Sequence, residues 1–195
     1  CTTHQKLVAL DPTTGKAKWT FDPKLKADNT FQHLTCRGVS YFDANNTVGF
    51  EASLAAKKST SEQCPQKVIL PVNDGRLVAI NATTGKPCTD FGHNGEVDLQ
   101  KDMPFPYPGG YIPTSPPVVT GTTIIIAGST TDNYSTEEPS GVIRGYDVNT
   151  GALLWVFDTA AEDPNKIPGP GQKYVQNSPN AWAPLAYDAK LDIVY

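Results

Sequence analysis

Three stretches of the chain carry side chains whose types and spacing suit the binding of a charged organic ligand. In the first, His33-Leu34-Thr35-Cys36-Arg37-Gly38-Val39-Ser40-Tyr41, an arginine aimed into a site would pair a ligand carboxylate with two bonds, because its donor fork is fixed. The same residues also read as a strand with an ordinary His and a surface Arg. In the second, Pro113-Thr114-Ser115-Pro116-Pro117 is followed by Gly128-Ser129-Thr130-Thr131-Asp132-Asn133, and hydroxyls and amides in that density suit carboxylate or carbonyl recognition. Asp132 beside Asn133 is more often a turn than a metal ligand. In the third, Asn177-Ser178-Pro179-Asn180-Ala181-Trp182-Ala183-Pro184, an indole held among prolines and alanines offers a flat stacking face. Core packing is the default role of any single Trp.

Other chemistries lack their signatures. There is no Gly-x-x-x-x-Gly-Lys-Ser/Thr loop and no Gly-x-Ser-x-Gly elbow, and Gly109-Gly110-Tyr111 is no phosphate cradle. The four cysteines, Cys1, Cys36, Cys64 and Cys88, form no Cys-x-x-Cys pair and have no His at zinc-ligand spacing, so a zinc site is not expected. They read as free core thiols or as one or two disulfides. Sixteen basic against 20 acidic residues give a net charge of −4 with no basic block, which argues against a nucleic-acid partner. No run approaches 18 consecutive apolar residues, so no membrane contact is expected from this sequence itself.

The elements that must position these residues follow from an internal repeat. Leu7-Val8-Ala9-Leu10-Asp11-Pro12-Thr13-Thr14-Gly15 recurs as Leu77-Val78-Ala79-Ile80-Asn81-Ala82-Thr83-Thr84-Gly85. It recurs again as Ile143-Arg144-Gly145-Tyr146-Asp147-Val148-Asn149-Thr150-Gly151. The three glycines stand 70 and 66 residues apart. Each copy is an alternating apolar strand, a turn in which Asp or Asn bonds the backbone two residues on, a Gly at positive φ, and a second strand usually closed by Trp. Additional strand-like sequence at 67–72 and 117–129 brings the content to about four strands per period, one propeller blade. Sixteen Gly and 17 Pro leave little room for ordinary helices. Segments 42–63 and 92–113 read as long loops, with a turn or two of helix at 51–58. The expected fold is all-β, about three four-stranded antiparallel blades of a larger β-propeller. The four-stranded units are expected near 31–91 and 113–158, with partial blades at both ends.

The chain opens on Cys1 with no signal-peptide pattern, and 186–195 reads as a strand still running. Residues 1–195 are therefore expected to be a single partial domain bounded at both ends inside a larger protein. With two open edges, such a piece would oligomerise or be marginal by itself.

Taken with these stretches, the Ala-x-Asp-x-x-Thr-Gly-x-x-x-Trp repeats resemble the tryptophan-docking motif of eight-bladed quinoprotein dehydrogenase propellers, which bind pyrroloquinoline quinone (PQQ). The stretches around Arg37, Leu70–Leu77, Pro113–Pro117, Ser140–Gly145 and Asn177–Pro184 resemble the membrane-bound quinoprotein glucose dehydrogenases in order along the whole chain. Quinate dehydrogenases are close relatives. The resemblance implies that PQQ lies on Trp182, pairs with Arg37, and has its carboxylates bound by Thr114 and Ser129. His33 would lie near the cofactor, where methanol dehydrogenases carry two adjacent cysteines. Asp132, assisted by Asn133, would hold a divalent cation, Ca²⁺ or Mg²⁺, in the place of a glutamate ligand in the alcohol dehydrogenases. No residue matches the family's catalytic aspartate, so the base is expected outside this chain.

PQQ is a flat tricarboxylate, and an aromatic face with cationic and hydroxyl partners is what such a molecule needs. The resemblance implies part of a dehydrogenase that oxidises an aldose, D-glucose to gluconolactone, and passes electrons to a membrane quinone. It would work on the periplasmic face of the bacterial inner membrane, and the 195-residue piece alone is expected to be inactive. Quinate or another polyol is the alternative substrate. A non-enzymatic scaffold propeller, which needs the repeats but not Arg37, Thr114, Asp132 and Trp182, is the alternative class.

Overall fold

The computed structural model describes residues 1–25, 31, 34–45, 64–131 and 133–195. His33, Asp132 and the helical reading at 51–58 lie outside the described residues.

The repeat dictates the architecture. Strands β1 (Leu7–Leu10) and β2 (Ala17–Phe21) form an antiparallel pair. Strands β3 (Ser40–Asp43), β4 (Gln66–Val72), β5 (Arg76–Asn81) and β6 (Glu96–Asp98) form a four-stranded antiparallel sheet in the order β3-β4-β5-β6. The short strand β7 (Tyr111–Ile112) comes next, followed by β8 (Val118–Val119), β9 (Thr123–Ile126), β10 (Ser129–Thr130), β11 (Ile143–Asp147) and β12 (Leu153–Phe157). Of these, β8, β9, β11 and β12 make a second four-stranded antiparallel sheet, while β7 pairs with β10. A final antiparallel pair, β13 (Tyr187–Asp188) and β14 (Ile193–Val194), completes the chain. The two full sheets with the terminal pairs β1–β2 and β13–β14 give the strand content of three blades, the β7–β10 pair lies beside them, and the described residues contain no helix.

The three repeat turns are built alike. Asp11 Oδ1 accepts from the backbone N–H groups of Thr13 and Thr14 at 3.0 and 2.9 Å. Asn81 Oδ1 does the same for Thr83 and Thr84, and Asp147 Oδ1 for Asn149 and Thr150. Each glycine that follows has φ near +70° (69°, 71° and 71°), which is why the position is Gly.

These turns also lock neighbouring sheets together. Trp19 of the first repeat donates its indole N–H to the carbonyl of Ala82 at 2.9 Å, and its ring covers Gly85. The second repeat has no Trp. There the backbone N–H of Gly92 bonds the carbonyl of Thr150 at 2.8 Å, and Gly151 packs on Gly92 and Val97.

The core lies between sheets. Ile69, Leu77, Phe91 and Leu99 pack with Ile124, Ile126, Tyr146 and Val156. The opposite face of the first sheet, Leu70, Val72, Val78 and Ile80, packs on Leu7, Trp19 and Phe21. Strands covered on both faces are apolar at consecutive positions, as β4 and β5 are. Two disulfides, Cys1–Cys36 and Cys64–Cys88, leave no free thiol among the described cysteines.

The structure departs from the sequence expectation in three places. The first full sheet spans 40–98 instead of 31–91, because the strand expected directly after Gly85 is a tight turn with only an Ile80–Pro87 bridge. Pro87 has no N–H to continue a ladder. The strand closing that sheet is β6, which with β7 falls in a segment read as loop. A three-residue strand with one apolar residue, Val97, carries no periodic signal. Residues 186–195 form a hairpin, not a running strand, because Asp188 Oδ1 captures the N–H groups of Lys190 and Leu191 at 2.8 and 3.1 Å.

Candidate functional site

Three segments meet at one backbone oxygen. The carbonyl of Trp182 accepts the hydroxyl of Ser115 at 2.6 Å, that of Thr114 at 3.3 Å and the Arg37 guanidinium at 3.4 Å. The same guanidinium carbon stands 4.9 Å from the centroid of the Trp182 indole, a cation–π distance. Thr114 and Ser115 are buried, Arg37 is exposed, and the indole residue keeps 50% of its surface free. An aromatic face and a cation therefore form one unit, anchored from beneath by two hydroxyls.

Each segment is held by its own polar network. Gln5, itself buried, donates to Asn73 Oδ1 at 2.6 Å and to the Thr35 carbonyl at 3.3 Å, and Asn73 donates to that carbonyl at 3.2 Å. The Cys1–Cys36 disulfide adds a covalent tie one residue before Arg37. Gly38 lies so close to Pro116 that a Cβ would meet the ring at 2.7 Å, and Ser40 bonds the Pro117 carbonyl through its hydroxyl. The Arg37 and Thr114 segments thus lie side by side.

The Trp182 segment hangs on Asp158, which is buried at the end of β12. Its carboxylate accepts the N–H of Val175 at 2.8 Å and the amide of Asn177 at 3.0 Å, and Asn177 donates also to Ser140 Oγ at 3.0 Å. The peptide of Pro179 then crosses Gly141 where no side chain would fit. Asn180 reaches Thr130 Oγ1 at 3.3 Å, which joins this segment to β10.

Of the residues singled out from sequence, Arg37, Thr114 and Trp182 are brought together directly. Ser129 sits on β10, opposite Ile112 of β7 and two residues from Thr114 in strand register. Asn133 is exposed, with a left-handed φ of 55°. His33 and Asp132 fall outside the described residues. Among the described residues no three His, Cys, Asp or Glu gather as a metal cluster. Arg37 forms no ion pair among the described residues, so its charge is available to an anionic ligand. The sequence reading missed Ser115 as the tightest partner of Trp182. The buried Asp158–Asn177 pair was also missed, although Asn177 opens the quoted Trp182 motif. A half-free indole, a guanidinium with no ion pair among the described residues and hydroxyls close by suit a planar ligand bearing carboxylates.

The family model described as "PQQ: Glucose/ethanol/alcohol dehydrogenase, beta-propeller domain" matches residues 1–195. The chain is 73% identical over its whole length to quinoprotein glucose dehydrogenase A of Acinetobacter calcoaceticus and 56% to quinoprotein glucose dehydrogenase of Escherichia coli, covering 24% of each. It is 38% identical to quinate/shikimate dehydrogenase (quinone) of Acinetobacter baylyi, again along its whole length and 24% of that protein. The chain thus spans about a quarter of the length of the curated relatives it matches. Among solved structures, a quinohemoprotein alcohol dehydrogenase from Comamonas testosteroni superposes with a TM-score of 0.55 at 23% identity, over 88% of this chain and 20% of that one.

Proposed function

The chain belongs to the β-propeller family of PQQ-dependent glucose, ethanol and alcohol dehydrogenases, and from that premise we propose that it is part of a quinoprotein that oxidises an aldose sugar, D-glucose to gluconolactone. The observation that carries the choice of substrate is the gradient of identity, which is much higher toward the glucose dehydrogenases than toward the quinate/shikimate enzyme.

The residues fit the cofactor. Trp182 offers half of its surface as a stacking face, and Arg37 supplies a charge with no competing carboxylate among the described residues. Thr114 and Ser129 supply hydroxyls for the ligand's carboxylates, while Ser115 holds the Trp182 backbone. Asp132 and Asn133 would hold a divalent cation, Ca²⁺ or Mg²⁺, and His33 would border the ring. When bound, PQQ supplies the two-electron acceptor, and the cation polarises its reactive carbonyl. This chain's share is to stack, orient and neutralise; the base that takes the substrate proton lies elsewhere in the protein. Electrons leave to a membrane quinone, and the propeller faces the periplasm of a bacterial inner membrane, anchored by other segments.

The test is a dye-linked substrate panel on the full-length protein reconstituted with PQQ and Ca²⁺ or Mg²⁺. Glucose is expected to be the fastest substrate. Quinate or glycerol turnover above that of glucose would overturn the assignment.

A further inference from the structure

Arg144 is the largest fully buried side chain in the described core, at 1% exposure. It projects from β11 with its guanidinium carbon 5.0 Å from the Tyr111 ring centroid and 5.8 Å from that of Tyr174. Nη1 donates to the Leu99 carbonyl at 2.9 Å, but among the described residues Nε and Nη2 find no hydrogen-bond acceptor within bonding geometry, and the hydroxyl of Tyr111 finds no partner. Among the described residues Arg144 forms no ion pair. A buried cation without a carboxylate is costly to hold, so an unpaired one needs a reason. The contacts of Tyr111 supply it. The tip of that ring lies against Gly128, where a Cβ would stand 2.8 Å from Cζ, and Gly128 immediately precedes Ser129. Tyr111 thus meets the Arg144 guanidinium with its ring and the start of β10 with its tip.

We propose that Arg144 is a positioning charge for the anionic cofactor, a buried cation with no counter-ion among the described residues whose charge is balanced when a tricarboxylate settles at the β10 end of Tyr111. The inference rests on the reading that this site binds PQQ. In a site shielded from water, one unit charge acts well beyond contact distance. Arg144 touches no reacting atom, and its effect is on where and how tightly the carboxylates sit.

The experiment uses the full-length apoprotein, titrated with PQQ by quenching of tryptophan fluorescence, with melting temperature read in parallel. Arg144→Met is expected to weaken PQQ binding on the order of tenfold, and Arg144→Lys, which keeps the charge, to recover most of the loss. Tyr174→Glu neutralises Arg144 in place. It is expected to weaken PQQ binding by a similar factor while raising the melting temperature of the apoprotein relative to Tyr174→Gln, which should bind as the parent does. Equal losses in the Lys and Met variants, or equal affinities in Tyr174→Glu and Tyr174→Gln, would overturn the proposal, and the Tyr174 pair decides it if Arg144→Met does not fold. Absence of PQQ binding by the unmodified protein would instead sink the cofactor assignment itself.

Discussion

Ser115 Oγ lies 2.6 Å from the carbonyl oxygen of Trp182, 67 residues further along the chain. That oxygen also meets Thr114 at 3.3 Å and Arg37 at 3.4 Å, and a carbonyl has two lone pairs for three donors. The short bond is the one that fixes the peptide. Ser115 is buried, so its hydroxyl has no water to turn to, and the peptide it holds sets the tilt of the indole.

Ser115→Ala should therefore act on the stacking face without touching it. Loss of one such bond costs about 1 kcal/mol, or roughly fivefold in an equilibrium. PQQ titration of the full-length apoprotein is expected to show that weakening, with a larger one for Thr114→Val, which also removes the hydroxyl assigned to a ligand carboxylate. An unchanged affinity in Ser115→Ala would mean that the indole is set by packing alone.

Gly15 and Gly85 have nearly the same φ, 69° and 71°, but different surroundings. Nothing stands within 4 Å of a Cβ at Gly15, whereas one at Gly85 would lie 2.7 Å from Trp19 Cδ2. Alanine at Gly15 costs only the left-handed conformation, about 1 kcal/mol. At Gly85 it must also lift the docked indole and strain its bond to Ala82. Thermal melts of the two variants of the full-length protein should separate, with Gly85→Ala clearly lower. Equal melting temperatures would show that the docking contributes nothing.

Much of this was legible because it is local chemistry repeated. The Asp/Asn-x-x-Thr-Gly turns are visible as Asp11, Asn81 and Asp147, and the double apolar runs of β4 and β5 announce a sheet covered on both faces. Arg37, Thr114 and Trp182 were legible as a set only through resemblance, since no spacing in the sequence says that three distant segments share one carbonyl. What could not be read is long-range polar satisfaction. Asp158 follows a strand of the repeat and looks like a surface turn residue. Its burial depends on Asn177 and Val175 arriving from a loop with no periodic pattern. Arg144 likewise occupies an alternating position that favours an apolar residue, and nothing nearby in sequence shows that two tyrosines enclose it.

Lys67 is a second buried cation, 3.4 Å from Asn149 Oδ1 and 5.4 Å from the Phe42 ring. Burial pushes its ammonium below the ordinary value of 10.5, against the opposing pull of Asp90 and Asp147. The unfolded chain keeps this proton up to about pH 10.5, and the folded chain gives it up sooner. Between the lowered folded value and 10.5 the unfolded state binds more protons, so this group's contribution to stability rises with pH through that window and is a constant cost below it. Lys67→Met is expected to stabilise the full-length protein at neutral pH by roughly 1–4 kcal/mol and to remove that alkaline gain. A lower melting temperature at pH 7 would show that the contacts with Asn149 and Phe42 outweigh the cost of burying the charge.

Arg37 and Trp182 act on different parts of PQQ, one through charge and the other through its face, yet the structure couples them. The guanidinium rests 4.9 Å from the indole centroid and bonds the Trp182 carbonyl, so removing either residue releases the other. Trp182→Ala alone should cost about 0.5–1.5 kcal/mol of PQQ affinity beyond lost burial. Arg37→Ala should cost more, roughly 2–5 kcal/mol, because a covered carboxylate is left unpaired. Arg37→Lys should recover only part of that, since the planar fork and its hold on the ring are lost. The double variant should lose less than the sum of the two, by about 0.5–3 kcal/mol, the range for residues in contact. A double-mutant cycle of PQQ titrations on the full-length apoprotein measures this directly. Strict additivity would mean that the guanidinium leaves the indole when the cofactor arrives. No loss in any of the variants would mean that PQQ binds elsewhere, and the scaffold reading would then account for the repeated turns better than an enzyme does.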